Sequence, residues 1–388
     1  EFYTPTRVIF GAGSLEKLPE AVGRCGAKRV FVIYGGQSAK KSGTLDRVEA
    51  LLTGAGIAFA VIGGVKPNPR LGLAREAIRE AIAFGADLIL AVGGGSVIDT
   101  AKATAHGTAN PEADIWDIWM GKVKLEKSLP VGVVLTIPAA GSEMSDSAVL
   151  TDEAALAKRG LNTDLNRPAF ALMDPALAAT LPARQAACGV TDIMMHTLER
   201  YVNPLENDMT DEIAEALLRV VIRHGEAVVK NPGDIDAMSE IMWAGSLSHN
   251  NLTGLGGKKD FSVHQFGQAI GEKFDIYHGE TLSAMWASYA RYVAPTNFAR
   301  FARYARNVWG VEEADDEKAA MAGIDATEAY FKRLGMPVRI AELSCGVQDE
   351  AGLYDLALRC SRNRGRTIGS FRVLDFEDML NVYQMANK

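Results

Sequence analysis

Cysteine is scarce and scattered. Cys25, Cys188, Cys345 and Cys360 are the only four in 388 residues, and no two stand in a CxxC spacing. That excludes a disulfide framework and fits reduced thiols used as small core residues. No Lys/Arg-rich run is longer than a few residues and the formal charge is −7, so the clustered positive surface that nucleic acid requires is missing. No apolar run reaches the roughly eighteen residues that span a bilayer, and the N-terminus lacks the basic-then-apolar form of a signal peptide. Together these absences lead us to expect a cytoplasmic protein. Glu1 stands where an initiator Met would be, so a few further residues are expected to precede it. There is no internal repeat and no low-complexity segment. Histidine is sparse too, at six residues.

What is present is ample core material: 48% of residues are hydrophobic and 23% charged. A chain of this length exceeds what one core usually fills, so two domains are expected. Short apolar runs at 29–34 (RVFVIY), 58–62 (AFAVI), 87–92 (DLILAV), 131–137 (VGVVLTI) and 169–173 (AFALM) read as strands. Between them TLDRVEALLTGAG and AREAIREAIAFG carry apolar residues at helical period and end in Gly. Alternating strand and helix implies a mostly parallel sheet covered on both faces. From Pro182 onward the strand-like runs vanish and six stretches read as helices. We therefore expect an α/β dinucleotide-binding domain over 1–181 and a helical, metal-binding domain over 182–388.

Three of the six histidines fall in one constellation on the helical side. Asp192 and His196 are four apart in VTDIMMHTLERYV, so both project from one helix face, roughly one turn apart. His264 opens a second helical stretch, and His278 follows an expected break at Phe274–Tyr277. Alone, an Asp and a His at helical spacing are more often a surface or capping pair, and spacing does not show that the two segments meet. Three nitrogens and one carboxylate oxygen suit Zn²⁺ or Fe²⁺ better than Ca²⁺ or Mg²⁺.

Directly after DLILAV come Gly93, Gly94, Gly95 and Ser96, then the helical run VIDTAKATA. Glycines at a strand-to-helix turn let the backbone approach a ligand, and the helix start offers N–H groups to a pyrophosphate. The alternative is a tight turn without ligand, with Ser96 and Asp99 as a capping box. The GxGxxG fingerprint is absent. After RVFVIY the chain reads Gly35-Gly36-Gln37-Ser38-Ala39-Lys40-Lys41, without the acidic residue that would hold a ribose 2′-hydroxyl. Hydroxyls and two lysines suit a 2′-phosphate instead, so NADP(H) is expected over NAD(H). A solvated Lys-Lys loop is the bland alternative.

These elements together resemble the iron-containing (group III) alcohol dehydrogenases, and among them the NADPH-dependent aldehyde reductase and butanol dehydrogenase branch. The likeness runs through TPTRVIFGAGSLEKL, KPNP (Lys66 to Pro69), GGGSVIDTAK, TIPAAGSEMS and LMDPALAATLPARQ to the two histidine segments, nearly the whole chain. It implies an N-terminal Rossmann-like α/β domain plus an all-α C-terminal domain, the dehydroquinate synthase-like fold, with cofactor and metal in the cleft between them. It implies Asp192, His196, His264 and His278 as ligands of Fe²⁺ or Zn²⁺. For NADP(H), it implies contacts by Gly94, Gly95 and Ser96 at the pyrophosphate and by Asp99, Thr136 and Ser142 toward the nicotinamide and its diphosphate. Thr180 and Leu181 would flank the adenine, and Gly36, Ser38, Lys40 and Lys41 the 2′-phosphate. Asn68 and Lys158 complete the expected cofactor contacts.

One departure stands out. Many members carry a further histidine four residues after the third ligand, where this chain has Gln268, which cannot shuttle protons near neutral pH. No side chain is therefore assigned as acid or base. The implied reaction interconverts primary alcohols and aldehydes, with the cation as Lewis acid and the nicotinamide as hydride carrier. Competing readings are a polyol dehydrogenase, a sugar-phosphate cyclase, or a metal- and nucleotide-binding protein without catalysis. The first two need basic side chains to seize hydroxyls or phosphate, and the helical half offers only Lys258, Lys259 and Lys273 nearby. Met242-Trp243 and Met285-Trp286 read as core rather than pocket. The resemblance also implies a homodimer, with the segment RVIFG as a pairing edge.

Overall fold

The apolar runs of the first half become a parallel sheet. The computed structural model describes all 388 residues but Leu156. Its strands are β1 (Arg7–Phe10), β2 (Arg29–Tyr34), β3 (Ala58–Ile62), β4 (Leu88–Gly93), β5 (Val131–Leu135), β6 (Ser147–Asp152), β7 (Ala157–Asn162) and β8 (Phe170–Met173). Six of them form one sheet in the order β1-β8-β5-β4-β2-β3, parallel at every pairing. β6 and β7 pair antiparallel as a separate ribbon. That ribbon has no counterpart in the sequence reading, because β7 is AKRGLN, a run with neither an apolar face nor β-branched residues.

Helices α1 (Leu18–Arg24), α2 (Ser38–Lys41), α3 (Thr44–Gly54), α4 (Leu71–Phe84), α5 (Gly95–Ala109) and α6 (Ile115–Trp119) connect the strands. The central strands are buried on both sides, with Leu88 to Val92 of β4 wholly inaccessible, which is why they read as unbroken apolar runs. Val30, Val32, Leu88, Leu90 and Val92 pack with α1 and α3, while α4 and α5 meet the sheet from β2 and β4. The helix after β2 and the helix after β4 thus lie on opposite faces. The strand order reverses between β2 and β4, where open α/β sheets hold ligands at the carboxyl ends of their strands.

The second half is helical: α7 (Ala183–Tyr201), α8 (Asp208–Lys230), α9 (Ile235–His249), α10 (Ser262–Phe274), α11 (His278–Val293), α12 (Phe298–Trp309), α13 (Asp316–Arg333), α14 (Glu350–Cys360) and α15 (Phe376–Ala386). Two compact units result. One comprises Tyr3–Leu181 with Pro232–Ser246, and the other Glu1–Phe2, Pro182–Asn231 and Leu247–Lys388. The first part of α9 belongs with the α/β unit, where Ser246 Oγ donates to the buried Glu143 at 2.5 Å and Trp243 packs on Phe10. Met285 and Trp286 are wholly buried in the helical unit, so they are core. Its interior also holds the ion pair of Arg300 with Asp211, at 2.5 Å. Among the described residues no helix is long and apolar enough to cross a membrane.

Candidate metal centre

α7 starts after Pro182, whose extended backbone (φ −61°, ψ 141°) precedes the first turn. It is buried almost continuously from Ala186 to Tyr201. Asp192, His196 and Glu199 stand at i, i+4 and i+7, hence on one face. α10 begins after Phe261, which holds a left-handed φ of 55°, and places His264 in its first turn. It ends at Asp275, also left-handed at φ 54°, so the expected break is there and α11 opens on His278. The start of α11 lies against α7 so closely that a Cβ on Gly279 would stand 2.6 Å from the Cα of Cys188. Only glycine allows that approach, and it carries His278 toward Asp192.

The four side chains converge. Asp192 Oδ1 is 3.2 Å from His196 Nδ1, 3.6 Å from His264 Nε2 and 3.8 Å from His278 Nε2. His264 Nε2 is 3.1 Å from His196 Nε2. One donor atom each from Asp192, His196 and His264 lies within 4.8 Å of the others, while His278, with 32% of its side chain exposed, forms the rim. Four donors about 2.1 Å from a tetrahedral ion stand about 3.4 Å apart, and the separations of Asp192 Oδ1 from one nitrogen of each imidazole bracket that value. Asp192 Oδ1 and His196 Nδ1 are buried and hydrogen-bond to nothing among the described residues. Such orphaned groups are costly unless something fills the space between them. One carboxylate and three imidazoles therefore fit Fe²⁺ or Zn²⁺.

The electrostatics agree with that donor set. Burial, reinforced by the imidazoles of His249 and His264 and by Arg200, drives His196 well below the usual histidine range, so it is neutral and able to donate a lone pair. Burial pulls His264 down as well, but the carboxylates of Glu199 and Asp192 outweigh it and hold the metal-free imidazole up at about 9. A cation held here would have to displace that proton.

Two residues at this site escaped the sequence reading. Glu199 is inaccessible to solvent and bonds the His264 ring through Nδ1; its position seven after Asp192, on the same helix face, was the available signal. His249 stacks on His196 with ring centroids 4.0 Å apart, and nothing in its local sequence marks it. Gln268 Nε2 donates along its own helix to Glu272 at 3.1 Å.

In the α/β unit, the glycine turn sits at the carboxyl end of β4. A Cβ on Gly94 would come 2.7 Å from that of Ile137, so packing by itself demands glycine there. α5 starts at Gly95 with no side-chain cap, and the Ser96/Asp99 capping box does not form. Instead Asp99 accepts from Ser142 Oγ at 2.7 Å and from the Val149 amide at 2.9 Å. The first-turn N–H groups of Gly95 and Ser96 have no intrahelical acceptor. Ser142 in turn accepts from Lys102 Nζ at 2.8 Å, and Lys102 also donates to the Ser147 carbonyl at 2.7 Å. Burial lowers this lysine to about 8 against the pull of Asp99 and Glu143. Lys102 was not singled out in the sequence, although it follows Asp99 by less than a turn.

Lys158, on β7, donates to Asn68 at 3.0 Å, and Asn68 holds a left-handed φ of 58°. Thr136 follows β5, its amide donating to the Gly93 carbonyl at 3.1 Å. Gly36, Ser38, Lys40 and Lys41 are exposed at the carboxyl end of β2, next to β4 and on the same edge of the sheet. Lys40 Nζ lies 5.2 Å over the Tyr34 ring. Thr180, exposed, and Leu181, half-buried, lie beyond β8 where the chain leaves this unit.

Comparison with known proteins agrees over nearly the full length. The family described as iron-containing alcohol dehydrogenase matches residues 5–175, and the C-terminal part of the Fe-containing alcohol dehydrogenase family matches 185–387. The NADH-dependent butanol dehydrogenase A of Clostridium acetobutylicum is 36% identical over 389 residues, covering 100% of this chain and 99% of that one. An NADPH-dependent aldehyde reductase of Escherichia coli is 34% identical over 343 residues, covering 88% of each. The crystal structure of an NADH-dependent butanol dehydrogenase A from Thermotoga maritima superposes with a TM-score of 0.95 at 32% identity, covering 100% of this chain and 98% of that one. The chain belongs to the iron-containing alcohol dehydrogenase family.

Proposed function

We propose that this protein interconverts primary alcohols and aldehydes using NADP(H) and a divalent ion held by Asp192, His196, His264 and His278. The observation that carries the reading is the convergence of those donors with two buried atoms otherwise unbonded. When bound, the ion supplies Lewis acidity to the substrate oxygen and the nicotinamide gives or takes the hydride. The chain's own part is to bind and to orient. Asp192 brings one negative charge against the cation, His196 offers a neutral imidazole, and His264 is held by Glu199 with Nε2 toward the centre. The α5 N-terminus and the network of Lys102, Ser142 and Asp99 fix the backbone expected to receive the dinucleotide.

The coenzyme preference rests on the β2 turn. Gly36, Ser38, Lys40 and Lys41 present hydroxyl and ammonium groups and no carboxylate, which suits a 2′-phosphate. The relatives named above divide between NADH and NADPH, so family membership leaves this choice to the loop. Lys273 pairs with Asp355 at 2.9 Å and Lys259 with Asn251 at 2.5 Å. Two of the three lysines near the helical half are thus engaged, which weighs against a phosphate-seizing cyclase. A cytoplasmic homodimer belongs to the same reading, with β1, an edge strand of the sheet, as the pairing edge. The test is to follow NADPH and NADH oxidation with a panel of aldehydes on protein of measured metal content. Metal-dependent turnover with NADPH favoured supports the proposal, and absence of turnover with any aldehyde overturns it.

A further inference from the structure

Glu199 lies at the point where the two ligand-bearing helices are joined. It is 0% exposed, yet it is no part of the donor set, since its carboxylate points at the start of α10. Oε1 accepts the Val263 amide at 2.5 Å and the His264 amide at 3.3 Å. Oε2 bonds Nδ1 of the His264 ring. The Glu199 carbonyl also accepts the Asp260 amide at 2.8 Å. Phe261, which precedes the helix, supplies no side-chain cap; Asp260 Oδ1 accepts the first amide of α10, that of Ser262, at 3.1 Å, and Glu199 satisfies the next two from a neighbouring helix. A carboxylate only accepts hydrogen bonds, so the proton it meets on the His264 ring must sit on Nδ1. That leaves Nε2, 3.6 Å from Asp192 Oδ1 and 3.1 Å from His196 Nε2, as the nitrogen able to donate to a cation.

We infer that Glu199 is the positioning residue of the metal centre: it clamps the start of α10 and locks His264 in the tautomer whose Nε2 faces the ion. The inference rests on the reading of Asp192, His196, His264 and His278 as a metal site. Its carboxylate and that of Asp192 together match the charge of a divalent cation. A glutamine at this position keeps the shape but offers one acceptor where three N–H groups need acceptors. With its oxygen on the backbone amides, its NH₂ faces Nδ1 and favours the opposite tautomer.

The experiment uses the full chain, stripped with chelator and titrated with Zn²⁺ against a chromophoric competitor. Glu199→Gln is expected to weaken Zn²⁺ binding about 10- to 100-fold, with Glu199→Asp recovering part of the loss. Asp192→Asn, run in parallel, reports on the site itself. If Asp192→Asn loses zinc while Glu199→Gln binds it like the unsubstituted chain, the role of Glu199 is overturned and the metal site stands. If both bind like the unsubstituted chain, the metal-site reading falls and this inference with it. Should Glu199→Gln not fold, ¹⁵N-histidine spectra of the Zn²⁺-loaded unsubstituted protein decide. A proton on His264 Nδ1 with Nε2 on the metal supports the assignment, and the reverse arrangement overturns it.

Discussion

Nε2 of His264 stands 3.1 Å from Nε2 of His196, two nitrogens whose lone pairs repel unless a proton or a cation lies between them. In the metal-free site that proton is the one on His264; a cation that takes its place and is bound only by the folded arrangement should stabilise the fold. At a free concentration one thousand times Kd, a ligand that binds only the native state adds about 4 kcal/mol. Chelator-stripped protein is expected to melt several degrees lower and to recover on addition of Fe²⁺ or Zn²⁺. Identical melting curves with and without metal would contradict the site.

Truncation of either α10–α11 imidazole should empty the centre. His264→Ala and His278→Ala are expected to purify with little metal and to turn over at least about 100-fold more slowly, a loss near 3 kcal/mol of barrier lowering. Elemental analysis beside steady-state rates checks this. Full metal content with unchanged rates in either variant removes that histidine from the ligand set.

Coenzyme choice should move with the β2 turn. Replacing Lys40 and Lys41 together by Ala removes the two ammonium groups available to a 2′-phosphate. We expect kcat/KM for NADPH to fall about tenfold, roughly 1.4 kcal/mol, with NADH little changed. An equal fall for both coenzymes would mean that the loop does not read the 2′-position.

A separate prediction concerns acid stability. Glu328, only 7% exposed, pairs with Arg291 at 2.8 Å, Lys332 at 3.0 Å and Arg339 at 3.2 Å. Burial raises its carboxyl, but Lys332, Arg291 and Arg339 outweigh it and bring it down to about 2 from the ordinary 4.5. Because the folded value is depressed, the stabilisation is present above pH 4.5 and is lost as pH falls toward 2. Glu328→Gln is expected to cost about 3 kcal/mol at pH 7, a gap that narrows across that window in denaturant melts. A gap independent of pH would show that packing, not charge, is lost.

How much could be read from sequence depends on whether a signal is local. β2 and β3 are apolar runs bounded by turn residues, and their limits in the sequence match those in the fold. The ligand candidates were legible because Asp192 and His196 share a helix face and because histidine is rare here. What was not legible depends on partners far along the chain. Glu199 is one more acidic residue until α10 arrives beside it. Lys102 is one more lysine until Ser142 and Ser147 close over it, and Asp99 read as a capping residue because the loop that claims its carboxylate starts more than forty residues later. β7, AKRGLN, carries no apolar face to mark its ribbon with β6, and the division of α9 between two units leaves no mark in its helical period.

The central claim, that one ion held by this donor set drives aldehyde reduction, is tested most directly by titrating metal back into stripped protein while recording NADPH-dependent reduction of butyraldehyde. The expected result is a rate that climbs linearly with bound metal and saturates at one ion per chain, and that stays at background throughout in Asp192→Asn. Full activity in protein verified free of metal, or saturation unrelated to one ion per chain, would contradict the account.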